Sequence, residues 1–348
     1  MVNILVTGGL GYIGSHTCTK LIERGHNLYI LDSLYNSSYK VFENLKLISK
    51  SIKSSNIGSL EFFYGDIRDE QFIRRIFNFS KNKDGPIEFV FHFAGLKSVY
   101  ESNINSRKYW EVNLEGTKVL INLMDCIECK NIIFSSSATV YGDAGSGIID
   151  ENQSIKPTNV YGKTKAKVEN LLFDKYKESK GWNIINLRYF NPIGAHKSGL
   201  LGDRSISGFN NLFPLLCKVA NKEIDFIEIY GNDWETRDGT CIRDFVHIMD
   251  IVNGHLNALD YLITSKTNYL SINLGTAKGT TVLELVKIFE ETINKKINYI
   301  FSERRFGDVA SYIASNDMAK RILNWQPTLK LDDMCLDGWK WYLKIKDE

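Results

Sequence analysis

A doubly wound parallel α/β sheet of the Rossmann type, followed by a smaller α+β lobe, is the architecture that this 348-residue sequence predicts. Three observations lead there. A short apolar run, Val2 to Val6, passes directly into a glycine cluster, as a buried parallel strand does when it enters a tight turn. Strand-like and helical stretches then alternate through the first half, which implies a parallel sheet with helices on both faces. After Arg188-Tyr189-Phe190-Asn191-Pro192 the rhythm changes to glycine-rich polar loops, near 194–209 and 231–240, and shorter elements. The boundary is placed at 190, giving domains of 1–190 and 191–348, with later segments free to return to the first.

The elements follow in order. After the first strand comes Thr7-Gly8-Gly9-Leu10-Gly11-Tyr12-Ile13-Gly14, and Cys18, Leu21 and Ile22 continue at helical spacing. Glycines 8, 11 and 14 let backbone approach a pyrophosphate and aim helix N–H groups at its charge, and Gly9, Gly11 and Gly14 also satisfy G-x-G-x-x-G. The second strand, Leu28 to Leu31, ends in Asp32, eighteen residues beyond Gly14. An acid there accepts hydrogen bonds from the adenosine ribose and repels a 2′-phosphate, so the cofactor is expected to be NAD rather than NADP. Lys46 to Ser59 is polar and reads as an exposed helix end and loop. Further strands are expected at Leu60–Tyr64, Phe89–Phe93, Ile132–Ser135 and Ile184–Arg188, with helices near 69–79, 106–127 and 160–180. Ligands of such sheets bind at strand C-termini. Asp66-Ile67 is therefore expected near the adenine, Phe93-Ala94-Gly95-Leu96-Lys97 beside the cofactor, and Ser135-Ser136-Ser137 where a hydroxyl can hold a substrate oxygen.

The chemistry is expected from Tyr161 and Lys165 in Asn-Val-Tyr-Gly-Lys-Thr-Lys, four residues apart and so on one helix face. A free tyrosine titrates near pH ~10 and is a poor base at neutrality. A neighbouring ammonium favours the phenolate, and bringing the pKa down by about three pH units takes about 4 kcal/mol, which one ammonium in a partly dry site, helped by the positive ring of an oxidised nicotinamide, can supply. The pair Y-x-x-x-K is a weak pattern alone. Beside a dinucleotide loop it reads as proton and hydride chemistry.

Composition narrows the class. Hydrophobic content of 43% and charged content of 24% are those of a globular protein, and a net charge of +2 leaves no footprint for nucleic acid or membrane. No apolar stretch approaches the ~18 residues of a membrane helix. The first strand begins at Val2, so no secretion signal is expected. Six cysteines are scattered; Cys126 and Cys129 form a C-x-x-C without a second pair, so no metal site is expected and a reducing cytoplasm fits.

Together these segments resemble the extended short-chain dehydrogenase/reductase family, and within it the enzymes that epimerise UDP-hexoses at carbon 4. The likeness spans almost the whole chain. It is carried by Thr7 to Ser15, His92 to Lys97, Phe134-Ser135-Ser136-Ser137-Ala138-Thr139-Val140-Tyr141-Gly142, Tyr161 to Lys165 and Arg188 to Pro192. Later and more specific matches are Asn210-Asn211-Leu212, Asp238 to Asp244 and Arg304-Arg305-Phe306-Gly307-Asp308.

The resemblance implies a reversible redox epimerisation of UDP-glucose and UDP-galactose. Tyr161 takes the proton of the 4-hydroxyl, tightly bound NAD takes the hydride, and the 4-keto sugar turns before hydride returns to its other face. Ser137, Tyr161 and Lys165 are the implied catalytic residues. The implied cofactor contacts are Gly8, Gly11, Tyr12, Ile13, Gly14, Asp32, Asn36, Ser37, Asp66, Ile67, Phe93, Ala94, Gly95, Lys97, Asn113, Ser135 and Tyr189, with Tyr161 and Lys165. The implied UDP-sugar contacts are Lys97, Ser137, Tyr161, Phe190, Asn191, Asn211, Leu212, Arg243, Arg305, Asp308 and Tyr312. Tyr312 would restrict the pocket to plain hexoses. The family also implies a homodimer formed through two helices of the cofactor lobe. Val112 replaces a common family asparagine. Rival chemistries are a sugar-nucleotide 4,6-dehydratase, another UDP-sugar epimerase or decarboxylase, and a non-catalytic NAD-binding scaffold. The dehydratase needs an acid–base pair where this chain has Ala138 and Thr139. The scaffold has no reason to retain Tyr161, Lys165 and the glycine loop together.

Overall fold

A computed structural model describes all residues except 53–56, 146, 205–210, 265–266, 306 and 347–348. Among the described residues, seven strands form one parallel sheet: β1 (Asn3–Thr7), β2 (Asn27–Asp32), β3 (Leu60–Tyr64), β4 (Phe89–His92), β5 (Asn131–Ser137), β6 (Asn183–Tyr189) and β7 (Asn268–Leu274). Their spatial order is β7-β6-β5-β4-β1-β2-β3, so the order reverses at β1, beside β4. The first three registers are direct: Asn3 opposes Asn27, Leu28 opposes Leu60, and Thr7 opposes His92. β1 and β4 are buried throughout, which is why they read as unbroken apolar runs.

Helices cover both faces. On one, α1 (Tyr12–Glu23) lies with Tyr39–Ser51 against a core that includes Ile4, Val6, Leu21 and Leu28. On the other, Leu5, Ile73, Leu120 and Val168 share a second core. The helix expected over 106–127 runs as an α-turn at Ser106–Tyr109, a π-helical turn at Trp110–Glu115 and an α-helix at Gly116–Cys126. α2 (Val160–Glu178) carries Tyr161 and Lys165, and its N-cap Asn159 accepts the Gly162 amide.

Beyond Tyr189 the chain builds the smaller lobe around Phe213, Leu285, Phe289 and Trp339, with α3 (Leu212–Ala220) at its inner edge. The chain crosses between lobes more than once. The short strand Ile148–Ile149 joins the smaller lobe's sheet beside Ser311–Ala314. The helix α4 (Ile248–Thr264) returns to pack on α1, and β7 pairs with β6 at the sheet edge.

Candidate active site

One cavity of about 910 Å³ runs along the carboxyl ends of the sheet strands and into the smaller lobe. Two helix N-termini open into it. α1 begins after Gly11 with no side-chain cap and no acid in its first turn, and α3 begins after Asn211 in the same way. Uncapped amides that face a cavity bind anions. The glycine loop is built for close approach. Gly8 has a φ of +67°, and a Cβ there would sit 2.6 Å from the Ala94 nitrogen; one on Gly14 would sit 2.4 Å from the Gly8 oxygen.

At the far end of this loop Asp32 is buried, with Oδ2 accepting the Leu10 amide and Oδ1 accepting the Leu34 amide and the Ser37 hydroxyl. Burial raises its pKa while those donors oppose the rise. Oδ2, with a single donor, keeps lone-pair capacity for a ribose hydroxyl. These features fit a dinucleotide: α1 and its loop would hold the pyrophosphate, and Asp32 the adenosine ribose. Asn36, Asp66, Ile67, Phe93, Ala94 and Gly95 also line the cavity. So do Tyr12 and Lys97, which tie the lobes: Tyr12 donates to the Gly194 carbonyl at 2.7 Å, and Lys97 pairs with Asp203 at 2.8 Å.

The reacting groups come from β5 and α2. Because strand side chains alternate, Ser135 and Ser137 line the cavity while Ser136 points behind it and donates to Glu169. Ser137 Oγ accepts from the Thr139 amide and hydroxyl, and Ser137 eases the pKa of Tyr161. Lys165 is buried with Nζ 2.7 Å from the Ser135 carbonyl oxygen and 5.8 Å from the Tyr161 ring centroid. Protein groups without the cofactor do not lower the Tyr161 pKa. Burial pushes the phenol up to about 12, against the easing effect of Ser137, and brings Lys165 down to about 7, against the Glu169 carboxylate. The low-dielectric site disfavours both charged forms.

In the smaller lobe Asn191, Asn211, Leu212, Arg243, Arg305 and Asp308 line the cavity with Phe190 and Tyr189. Arg243 is anchored: Nη1 donates to the Ile242 and Val309 carbonyls at 2.9 Å, and Nη2 lies 3.3 Å from Asp308. Arg305 is exposed and stacks 4.1 Å over the Tyr230 ring.

Two expected contacts stand elsewhere. Asn113, in the π-helical turn, bonds both backbone groups of Leu96 and the Thr164 hydroxyl, so its amide braces the loop after β4 and α2 rather than a cofactor. It is buried and does not line the cavity. Tyr312 sits behind Phe190, ring centroids 5.6 Å apart, and donates to the Ala138 carbonyl at 2.7 Å. It too is absent from the cavity wall. Asn210 and Phe306 of the quoted motifs lie outside the described residues. Cavity residues that the sequence did not single out include Tyr35, Asp203 and Tyr230, and Thr139 was noted only as lacking a dehydratase's acid. Only Thr139 had a local signal, its spacing of two from Ser137.

A family model described as GDP-mannose 4,6 dehydratase matches residues 5–337. A UDP-glucose 4-epimerase of Dictyostelium discoideum is 44% identical over 338 residues, 97% of this chain and 95% of that protein. Among solved structures, a UDP-glucose 4-epimerase from Stenotrophomonas maltophila, with bound NAD and formylated UDP-arabinopyranose, has a TM-score of 0.93 at 37% identity, covering 100% of this chain and 99% of its own. The Bifidobacterium longum enzyme, in complex with NAD+ and UDP, has a TM-score of 0.90 at 37% identity and 99% coverage of both chains. The chain therefore belongs to the UDP-glucose 4-epimerase family, within the extended short-chain dehydrogenase/reductases.

Proposed function

We propose that the protein interconverts UDP-glucose and UDP-galactose by inverting carbon 4, with NAD as a resident cofactor. The observation that carries this reading is a cavity into which two uncapped helix N-termini open, with Ser137, Tyr161 and Lys165 in its wall. α1 holds the cofactor pyrophosphate, and α3 with Arg243 and Arg305 holds the diphosphate of UDP, guanidinium being suited to paired phosphate contacts. Asp308 steadies Arg243. Bound NAD supplies the hydride acceptor and, once reduced, the donor, and its oxidised ring adds the positive charge that protein groups alone do not give Tyr161.

Tyr161 then takes the 4-hydroxyl proton and later returns it, Ser137 holds the 4-oxygen, and Lys165 supports the phenolate. UDP, anchored away from the reacting carbon, is the pivot on which the 4-keto sugar turns. Residues 1–190, joined by α4 and β7, serve the cofactor, and most of 191–348 serves the UDP-sugar. We place the enzyme in the cytoplasm as a homodimer; its six cysteines are all unpaired thiols, as a reducing compartment requires. Thr139 donates to Ser137 and is no proton-transfer acid, which disfavours dehydration.

The test is a panel of UDP-hexoses incubated with the purified protein and read by NMR at carbon 4, with Tyr161→Phe alongside. UDP-galactose and UDP-glucose should interconvert without added oxidant, and Tyr161→Phe should retain NAD but lose nearly all turnover. An inactive wild type, or a variant as fast as wild type, would sink the assignment.

A further inference from the structure

α2 packs on β5 and β6, and the apolar part of that contact includes Phe134, Val168, Leu172 and Ile184. Beside it three buried polar side chains meet: Ser136 of β5, Glu169 of α2 and Arg188 of β6. Arg188 holds Glu169 at both oxygens, Nε 2.9 Å from Oε1 and Nη2 2.5 Å from Oε2, and the Ser136 hydroxyl donates to Oε1 at 2.5 Å. Arg188 Nη1 donates to the Tyr141 hydroxyl at 2.9 Å, and Tyr141 donates onward to Asn273 Oδ1 at 2.7 Å. The cavity wall includes none of these five residues, so the cluster lies behind the site.

It nevertheless stands level with the reacting groups. Glu169 follows Lys165 by four residues and shares its helix face. Ser136 stands between Ser135, whose carbonyl oxygen is 2.7 Å from Lys165 Nζ, and Ser137 in the cavity wall. α2 therefore grips consecutive residues of β5 through two buried side chains, Lys165 at Ser135 and Glu169 at Ser136. Apolar packing is non-directional and resists a small slide of the helix only weakly. A two-bond guanidinium–carboxylate pair has a fixed geometry and does resist it. Apolar residues of similar volume stabilise a core as well as a buried ion pair does, so stability alone gives this cluster no reason to be ionic.

We propose that Glu169 is a positioning residue for the reaction: clamped by Arg188 and Ser136, it sets the register of α2 on β5 and so holds Tyr161 and Lys165 in place relative to Ser137 and the bound substrate. The proposal rests on the roles given to Tyr161, Lys165 and Ser137 in the epimerase reading.

The test compares two variants with wild type in thermal melting and in steady-state turnover of UDP-galactose. The first combines Ser136→Ala, Glu169→Leu and Arg188→Met, which replaces the clamp by apolar side chains and leaves Tyr141 its bond to Asn273. It should melt close to wild type, as apolar replacements of buried ion pairs do. Its kcat should nonetheless fall about a hundredfold, the effect of displacing reacting groups by about 1 Å, while KM and bound NAD stay unchanged. The second variant, Ser136→Ala alone, should lose about tenfold in kcat, again with KM and bound NAD unchanged, since one hydrogen bond of the clamp is gone. A folded triple variant that turns over like wild type overturns the proposal. So does a loss of kcat accompanied by a matching rise in KM and a lower melting temperature, which is the mark of a merely structural cluster. Should the triple variant not fold, Ser136→Ala alone decides, since an unchanged kcat there overturns the proposal equally. Either overturning result, in a protein that epimerises UDP-galactose, leaves the proposed function standing.

Discussion

Replacing Lys165 by methionine keeps a long side chain and removes one charge. Lys165 Nζ stands 5.8 Å from the Tyr161 ring centroid. An ammonium at that distance, with an effective dielectric of about 20, stabilises a phenolate by about 3 kcal/mol, or about two pH units on its pKa. Tyr161 begins from a disadvantage, since burial alone holds it near 12. Losing the lysine charge raises that pKa further, so the active base forms only at higher pH. Burial holds Lys165 near 7, so wild type carries that charge below pH 7 and loses it above; turnover of UDP-galactose should fall by up to about a hundredfold at pH 6, where the lysine is charged, and the gap to wild type should close toward pH 9. Kinetic profiles over pH 6 to 9, with NAD saturation checked at each point, measure this. A variant whose profile keeps the wild-type shape and merely lies lower refutes the reasoning, and Lys165 would then only position the cofactor. A second readout uses the lysine's own titration. Burial holds it near 7 against an ordinary value of 10.5. Between those values the unfolded chain binds the proton and the folded one does not, so wild-type stability rises with pH there, and the penalty is fully present below 7. Methionine removes that penalty. Cofactor-stripped Lys165→Met should therefore melt above wild type at pH 6, and the difference should shrink toward pH 10.

Asp32→Ala should narrow the preference for NAD over NADP, because it removes a buried carboxylate that would face a 2′-phosphate; equal wild-type affinities, by calorimetry, would contradict this. Arg243→Ala should weaken UDP binding by about 2 kcal/mol or more and leave NAD affinity unchanged, since the guanidinium is held by two carbonyls and Asp308. Arg305→Ala should weaken UDP less, its guanidinium being exposed; an equal loss of NAD in either variant would point to the fold instead. Tyr312→Cys should admit UDP-N-acetylglucosamine, which wild type should handle poorly, while sparing much of the hexose activity. The change removes the ring that backs Phe190 and the bond to Ala138, so the wall can yield. Comparable wild-type rates on both sugars would defeat that reading alone.

Much of the cofactor lobe was legible because its signals are local. A strand buried on both faces, such as β1, is a continuous apolar run; the half-buried edge strand Leu60–Tyr64 was placed with its observed bounds, and Gly8 to Gly14 runs from the end of β1 into the first turn of α1. The spacing of Tyr161 and Lys165 put both on α2, and the pleat of β5 explains why Ser135 and Ser137 share a face that Ser136 does not. What only the tertiary structure decided depends on residues distant in the chain. The return of α4 and β7 to the first sheet leaves no mark in local pattern, because pairing partners such as Asn183 and Asn268 are chosen by packing. Asn113 looks like a polar contact until its amide is seen to be used by Leu96 and Thr164, and Tyr312 looks like a pocket residue until Phe190 is seen in front of it. The balance of charge in the site was likewise hidden. A lysine one turn from a tyrosine predicts attraction, but whether attraction or desolvation wins is set by how deeply the fold buries both, and here burial holds Tyr161 near 12 and Lys165 near 7.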